Sequence, residues 1–207
     1  MARYFDIHPA NPQQRAIVQA ADIVRDGGVI AYPTDSCYAL GCQLGNGEGI
    51  NRIRSIRDLD ERHHLTLVCQ DFAQLGQFAL VANPVFRAIK AATPGSYTFI
   101  LRATREVPKR LQHPSRKTIG VRIPDHRVVH ALLGELREPI LSSTLLLPGA
   151  EDPLNDTLDI RAALEYAVDL ILDSGPCGVV PTTVVDLTGE APAVLRAGKG
   201  SLPLIGL

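Results

Sequence analysis

The chain has 207 residues, 45% hydrophobic, 21% charged and 5% aromatic, with 21 Lys+Arg against 22 Asp+Glu. That length suits one large domain or two small ones, and the near-zero charge excludes a uniformly basic nucleic-acid binder. So few aromatic residues also weaken any reading built on stacked bases. No window approaches the roughly 20 apolar residues of a spanning helix, and the opening MARYFDIHPANPQQ lacks a leader-like apolar stretch. Four cysteines, Cys37, Cys42, Cys69 and Cys177, are too few for a disulfide scaffold and predict a reduced, cytoplasmic setting with no membrane partner.

Asn11 followed by Pro12 predicts a helix start, and Ala16, Ile17, Ala20, Ala21, Ile23 and Val24 then form one apolar stripe. Gly27 and Gly28 end it. A short β-type run over residues 29–32 stops at Pro33-Thr34-Asp35, where proline removes a ladder donor and Thr and Asp favour a turn. Ile50, Ile53 and Ile56 predict a second helix, residues 65–69 a strand, and residues 72–78 and 85–92 two short helices. Strands follow at 97–101 and 118–123, then a helix capped by Asp125 and a strand over 139–147. A helix near 158–167 and strands at 168–172, 182–187 and 194–195 complete the chain. Strands interleaved with helices argue an α/β domain with a large sheet. A boundary in the loop-like stretch 148–156 would leave about 50 residues, marginal for an independent core, so residues 1–207 read as a single domain.

Charge is unevenly spread. Residues 87–127 hold 10 basic and 2 acidic side chains, whereas residues 128–207 hold 4 and 11. A basic segment of this density predicts an anionic ligand, or else arginines and lysines that pair with the acidic C-terminal part. Within it, Arg116 and Lys117 precede the strand carrying Thr118 and Arg122, which alternation sends to one face. An arginine fork and a lysine point charge together suit phosphate. Thr34 and Ser36 in the first turn, Thr98 after Pro94-Gly95-Ser96-Tyr97, Thr182 and Thr183 after Pro181, and Arg196 before Ala197-Gly198 place further hydroxyls and cations at strand ends. Cys37 lacks a partner set for nucleophilic catalysis, adjacent His63 and His64 do not suit joint metal ligation and read as surface residues, and no metal site is expected. Neither GxGxxG nor GxxxxGK[ST] occurs.

Taken in order, Pro33-Thr34-Asp35-Ser36-Cys37-Tyr38-Ala39-Leu40-Gly41, Pro94-Gly95-Ser96-Tyr97-Thr98, Gly120-Val121-Arg122, Pro181-Thr182-Thr183-Val184-Val185-Asp186-Leu187 and Arg196-Ala197-Gly198 resemble the YrdC/YciO family over nearly the whole chain. IHPANPQQ and RKTIGVRIP look most like its YciO branch. The resemblance implies a single domain with a large twisted mixed sheet and a basic concave face. It also implies threonylcarbamoyl-adenylate synthase-like chemistry, in which threonine, bicarbonate and ATP with Mg²⁺ give threonylcarbamoyl-adenylate and pyrophosphate for tRNA modification. Carried over by position, Thr34, Arg122 and Thr183 would contact threonine, and Thr98 and Arg196 the nucleotide; Arg57, Arg116, Lys117 and Thr144 are further expected nucleotide contacts. Catalysis would be positioning and charge neutralisation.

Two departures stand out. Where synthases carry Lys-x-Arg, this chain has Arg57-Asp58-Leu59, and where they carry Ser-x-Asn it has Thr144-Leu145-Leu146. A leucine neither neutralises phosphate nor donates a hydrogen bond, so both changes together cost on the order of several kcal/mol of substrate or transition-state stabilisation. Ala39 also replaces a family glycine. The expectation is therefore a nucleotide- or threonylcarbamoyl-binding protein with weak or altered catalysis. Its alternatives are a non-catalytic double-stranded RNA or tRNA-binding module and a hydrolase acting on threonylcarbamoyl-modified tRNA.

Overall fold

The computed structural model describes residues 1–202 except Glu61, Arg62 and His64. Eleven strands form one mixed sheet, β1 (Arg3–Asp6), β2 (Ile30–Tyr32), β3 (Ala39–Gln43), β4 (Thr66–Val68), β5 (Ala79–Leu80), β6 (Tyr97–Ala103), β7 (Thr118–Arg122), β8 (Ile140–Thr144), β9 (Leu170–Asp173), β10 (Thr183–Asp186) and β11 (Ala193–Arg196). Among the described residues six α-helices accompany them, α1 (Gln14–Arg25), α2 (Gly47–Arg57), α3 (Phe72–Phe78), α4 (Asn83–Ala92), α5 (Arg127–Leu136) and α6 (Thr157–Leu164), with one 3-10 turn at Lys109–Leu111. The sheet order is β1-β9-β2-β3-β8-β4-β7-β6-β10-β11, with β5 paired to β6. Both parallel pairs such as β4 with β7 and antiparallel pairs such as β6 with β7 occur, which makes the sheet mixed as expected.

Strand alternation divides the buried side chains between two faces. Phe99, Leu101, Ile119, Val121, Leu67 and Leu141 join Ile50 and Ile53 of α2 and Leu75 of α3 on one side. On the other side α1 and α5 bring Ile17, Ala20, Ala21, Val24, Val128 and Leu132 over Ile30, Tyr32, Ile140 and Leu170. The apolar stripe of α1 therefore does what its spacing predicts. These two helices cover only part of their face. The continuation of that face over β4, β7, β6 and β10 carries polar, apolar and charged side chains that line an open cavity.

Several local starts and stops differ from the sequence expectation. α1 begins at Gln14, because His8 Nδ1 accepts from the amides of Ala10 (3.2 Å) and Asn11 (3.1 Å) and holds those residues in a turn. α5 follows His126 rather than Asp125, without a side-chain cap. Strand β8 ends at Thr144, where the Leu146 amide turns back to the Thr144 carbonyl at 2.9 Å. Where capping side chains are used they are Asn46, Asp71 and Asp156, each accepting from amides of the first helical turn.

Candidate functional site

The cavity measures about 340 Å³ and draws on the loop after β2, the start of β3, the end of α2, strands β4, β6, β7 and β8, and the segments leading into β10 and ending β11. Arg57, Arg122 and Arg196 line it together. Their environments differ. Arg122 has a side chain 9% exposed, donates to Asp35 and to Ser36 Oγ (3.0 Å), and leaves a buried Nε with no hydrogen-bond partner among the described residues. Asp35 is held from its other oxygen by Ser96 Oγ at 2.7 Å, and Lys199 donates to the Asp35 carbonyl.

Arg57 donates from Nε to the Leu146 carbonyl (2.8 Å) and from Nη1 to Ser143 Oγ (2.6 Å). Arg196 donates to the Thr182 carbonyl (3.0 Å) and to Thr182 Oγ1 (3.1 Å). Neither pairs with a carboxylate among the described residues. Burial lowers both guanidinium pKa values from the ordinary arginine value; Arg196 acts further on Arg57, and Arg122 further on Arg196. Such a group stays protonated at any physiological pH, so the cavity keeps a positive excess that an anion would relieve.

Not every expected residue reaches this cavity. Thr98 and Thr144 line it, with Thr98 Oγ1 2.9 Å from Thr182 Oγ1. Thr34 and Thr183 do not. Thr34 Oγ1 donates to the Cys37 carbonyl (2.6 Å) and accepts from the amides of Ser36 (3.2 Å) and Cys37 (3.3 Å), which fixes the turn that presents Ser36. Thr183 Oγ1 donates to the Gly200 carbonyl (2.6 Å) and accepts from the Gly198 amide (3.0 Å). At Gly198 a Cβ would fall 2.3 Å from the Pro181 carbonyl, so only glycine permits this approach. The hydroxyls facing the cavity are instead Ser36, two positions after the threonine of the turn, and Thr182, one position before the threonine that opens β10. Arg116 and Lys117 also fall elsewhere, lining a separate cavity with Thr118.

Other polar lining residues were not among the expected site residues. His63 is exposed, as expected, and also lines the cavity; partial desolvation of its ring lowers its pKa below the usual 6.5, with Arg57 next in effect. His64 lies outside the described residues. Ser142 Oγ accepts from the buried Tyr32 hydroxyl (2.7 Å) and donates to the Leu40 carbonyl (2.9 Å), and Ser143 holds Arg57. Tyr38 donates to the Gly175 carbonyl at 2.8 Å. Cys37 lines the cavity, but burial pushes its thiol up, only partly opposed by Arg122, which leaves it a poor nucleophile.

The two substituted leucines part company. Leu59 packs against the hydrophobic core, while Leu146 remains in the cavity wall beside Arg57. Among the described residues no group of three His, Cys, Asp or Glu side chains could hold a metal, and Asp35 near the cavity is already engaged by Arg122 and Ser96.

A large mixed sheet of this topology, with helices over part of one face, has known counterparts. Residues 22–198 match the Sua5/YciO/YrdC family model, described as "Telomere recombination", and the chain belongs to that family. It is 50% identical over 202 residues to the uncharacterised protein YciO of Escherichia coli K12, covering 98% of each chain. The crystal structure of E. coli YciO superposes with a TM-score of 0.96, covering 99% of this chain and 100% of that one. A threonylcarbamoyl-AMP synthase of Chromobacterium violaceum is 33% identical over 91% of this chain and 96% of its own. The same fold occurs in P. abyssi Sua5 complexed with L-threonine, at a TM-score of 0.84 and 24% identity over 94% of this chain and 57% of that one. Among the described residues no helix is long and apolar enough to cross a membrane.

Proposed function

We propose that the cavity binds an adenine nucleotide or its threonylcarbamoyl conjugate, and that its chemistry is altered relative to the threonylcarbamoyl-AMP synthases. The observation that carries this reading is the convergence of Arg57, Arg122 and Arg196 with the hydroxyls of Ser36, Thr98 and Thr182 in one cavity. Among the described residues, two of these arginines are partnered only by carbonyls and hydroxyls. A phosphate or carboxylate entering there exchanges water for charge-assisted hydrogen bonds, which are the strong ones. The buried, unpartnered Nε of Arg122 offers one more donor. Relatives at 33% identity that make threonylcarbamoyl-AMP support the choice of ligand. The four unpaired cysteines agree with a reduced, cytoplasmic setting.

The altered chemistry follows from Leu146. An apolar wall beside Arg57 removes one hydrogen-bond donor from the region where charge would develop, and Leu59 contributes no second cation. Mass spectrometry of the protein incubated with ATP, Mg²⁺, threonine and bicarbonate tests synthesis, and calorimetry with ATP and with threonylcarbamoyl-adenylate tests binding. We expect binding of one or both ligands and product formation far below that of a synthase control. Absence of heat from either ligand at millimolar concentration would remove this reading.

One observation favours hydrolysis as the altered chemistry. His63 is an imidazole on the cavity wall whose pKa is lowered by partial desolvation and by Arg57, in a cavity whose other titratable side chains are arginines and raised-pKa thiol or phenol groups. It is thus the one described lining residue suited to accept a proton from water near neutral pH. In that reaction the water oxygen bonds to the carbamoyl carbon of a threonylcarbamoyl-modified nucleoside, the bond from that carbon to its leaving nitrogen breaks, and the water proton passes through His63 to the nitrogen. Release of threonine-derived product from modified tRNA tests it.

A further inference from the structure

The charge runs of the chain stay apart in the fold. Arg122 lines the main cavity at one end of the β6–β7 pair, and Arg102, Arg116 and Lys117 line the separate cavity at the other. Among the described residues a single ion pair joins this basic segment to the acidic C-terminal part, Arg116 with Asp186 at 3.7 Å. The densest acidic run, residues 151–173 with 7 acidic side chains and 1 basic, belongs instead to α6 and β9. In the sheet order β9 stands second and β7 seventh. Five strand spacings of about 4.8 Å put roughly 24 Å between them, about three Debye lengths at physiological ionic strength. The basic segment therefore leaves the charge of this run unanswered.

Most of these carboxylates have no cation of their own. Asp169 pairs with Arg52 at 2.7 Å, Asp156 caps α6, and Asp173 accepts from the Gly175 amide (2.8 Å) and the Tyr4 hydroxyl. Glu151, Asp152, Asp159 and Glu165 make no ion pair among the described residues. The same stretch exposes apolar surface. α6 buries Ile160 and Leu164 in the core, and residues two positions away on a helix point to its opposite side. That side carries Leu158 (73% exposed), Ala162 and, four residues further in the turn after the helix, Tyr166 (83% exposed). Tyr166 also forms a wall of a groove of about 620 Å³ against α2, with Glu48, Asn51, Ser55 and Ile56. Single exposed leucines are ordinary, but an aligned apolar stripe flanked by unpaired carboxylates marks an interaction surface.

We propose that the outer face of α6 docks a cationic, amphipathic segment of a partner protein, whose apolar side chains rest on Leu158, Ala162 and Tyr166 and whose lysines or arginines meet Asp159, Glu165 and Glu48. Charge complementarity selects this occupant. An acidic partner would be repelled, and a neutral apolar one would desolvate carboxylates without pairing them. Tyr166 suits the centre of the contact, since its ring takes either an apolar side chain or the cationic head of a lysine or arginine. None of these residues lines the main cavity, so the surface stands independently of what fills it.

Fluorescence anisotropy of the full chain with a short labelled peptide of leucine and lysine at helical spacing tests it, with the leucine and glutamate counterpart as control. Wild type should bind the lysine peptide and not the glutamate one, and added salt should weaken the complex. Tyr166→Ala should lower the affinity about tenfold, a usual loss for an interface aromatic, and Leu158→Lys should lower it further. The heat of ATP binding should stay unchanged in both variants. Both side chains are exposed, so neither substitution threatens the fold. No binding of the lysine peptide overturns the proposal, as does equal affinity of wild type and both variants, or equal binding of the two peptides. If sedimentation equilibrium shows wild type self-associating and Tyr166→Ala monomeric, the occupant is a second copy of this chain and the partner assignment falls.

Discussion

The two ends of the β6–β7 face use the same residue types in opposite ways. At the Thr98 end, Arg122 is 9% exposed and bonded to Asp35 and Ser36, so its guanidinium is held in place by the protein before any ligand arrives. At the Arg102 end, the cations stand in solvent with at most one weak ion pair. A prepositioned cation loses little side-chain freedom on binding, whereas an exposed one must be ordered by its ligand. The first arrangement suits geometric demands such as recognition and chemistry; the second suits attraction.

Arg122→Ala should break this contrast most severely. It leaves Asp35 buried without its cation, a change that costs about 3–5 kcal/mol in comparable buried pairs, and it should abolish ATP binding as well. Urea denaturation checks the stability arm. The double variant Arg122→Ala/Asp35→Ala should recover part of the stability and none of the binding. Recovery of both would mean that Arg122 serves the fold alone.

Thr183→Val and Thr182→Val sharpen the comparison at the next level. Thr183 clamps Gly198 and Gly200 with a fully buried hydroxyl, so its loss should cost about 1–3 kcal/mol of stability through the unsatisfied Gly198 amide. Thr182 faces the cavity and holds Arg196, so its loss should leave thermal stability nearly unchanged and weaken ATP several-fold. Equal effects of the two in both assays would contradict the assignment of faces.

The smallest expected effect is in pH dependence. Partial desolvation and Arg57 lower His63, and Arg196 and Arg54 add to this while Asp60 opposes it. A base must be unprotonated to act, so hydrolysis of modified tRNA should rise as pH climbs through a value below 6.5 and then level off. His63→Gln should flatten that acidic limb and lower the plateau. A limb that survives in the variant would assign the titration to another group.

Much of the scaffold was legible from spacing. The stripe of α1, the isoleucines of α2 and the β-branched runs of β7 and β10 each followed their period, and the family framework followed from ordered short motifs. β1, β3 and β5 were not. β1 reads Arg-Tyr-Phe-Asp and is a strand because it pairs in parallel with β9, β3 is rich in small residues between β2 and β8, and β5 has two residues. Each depends on partners remote in sequence, which local propensity does not carry.

At the site, residue chemistry was readable and facing was not. The expectation of an anionic ligand came from the density of arginine and lysine in one segment, and the motifs around Arg122 and Arg196 singled out two of the three arginines that the structure places in the cavity. Whether Thr182 or Thr183 faces the cavity is a matter of register, since a shift of one residue in a strand exchanges its faces. Pairing of β10 with β6, Thr183 opposite Tyr97, decided it. The sequence by itself determined most of the element types, the family framework and the supply of cations. Only the tertiary structure decided which cations share a cavity, because α1 and α5 cover one part of a sheet face and leave the rest open, and no local signal encodes what stays uncovered.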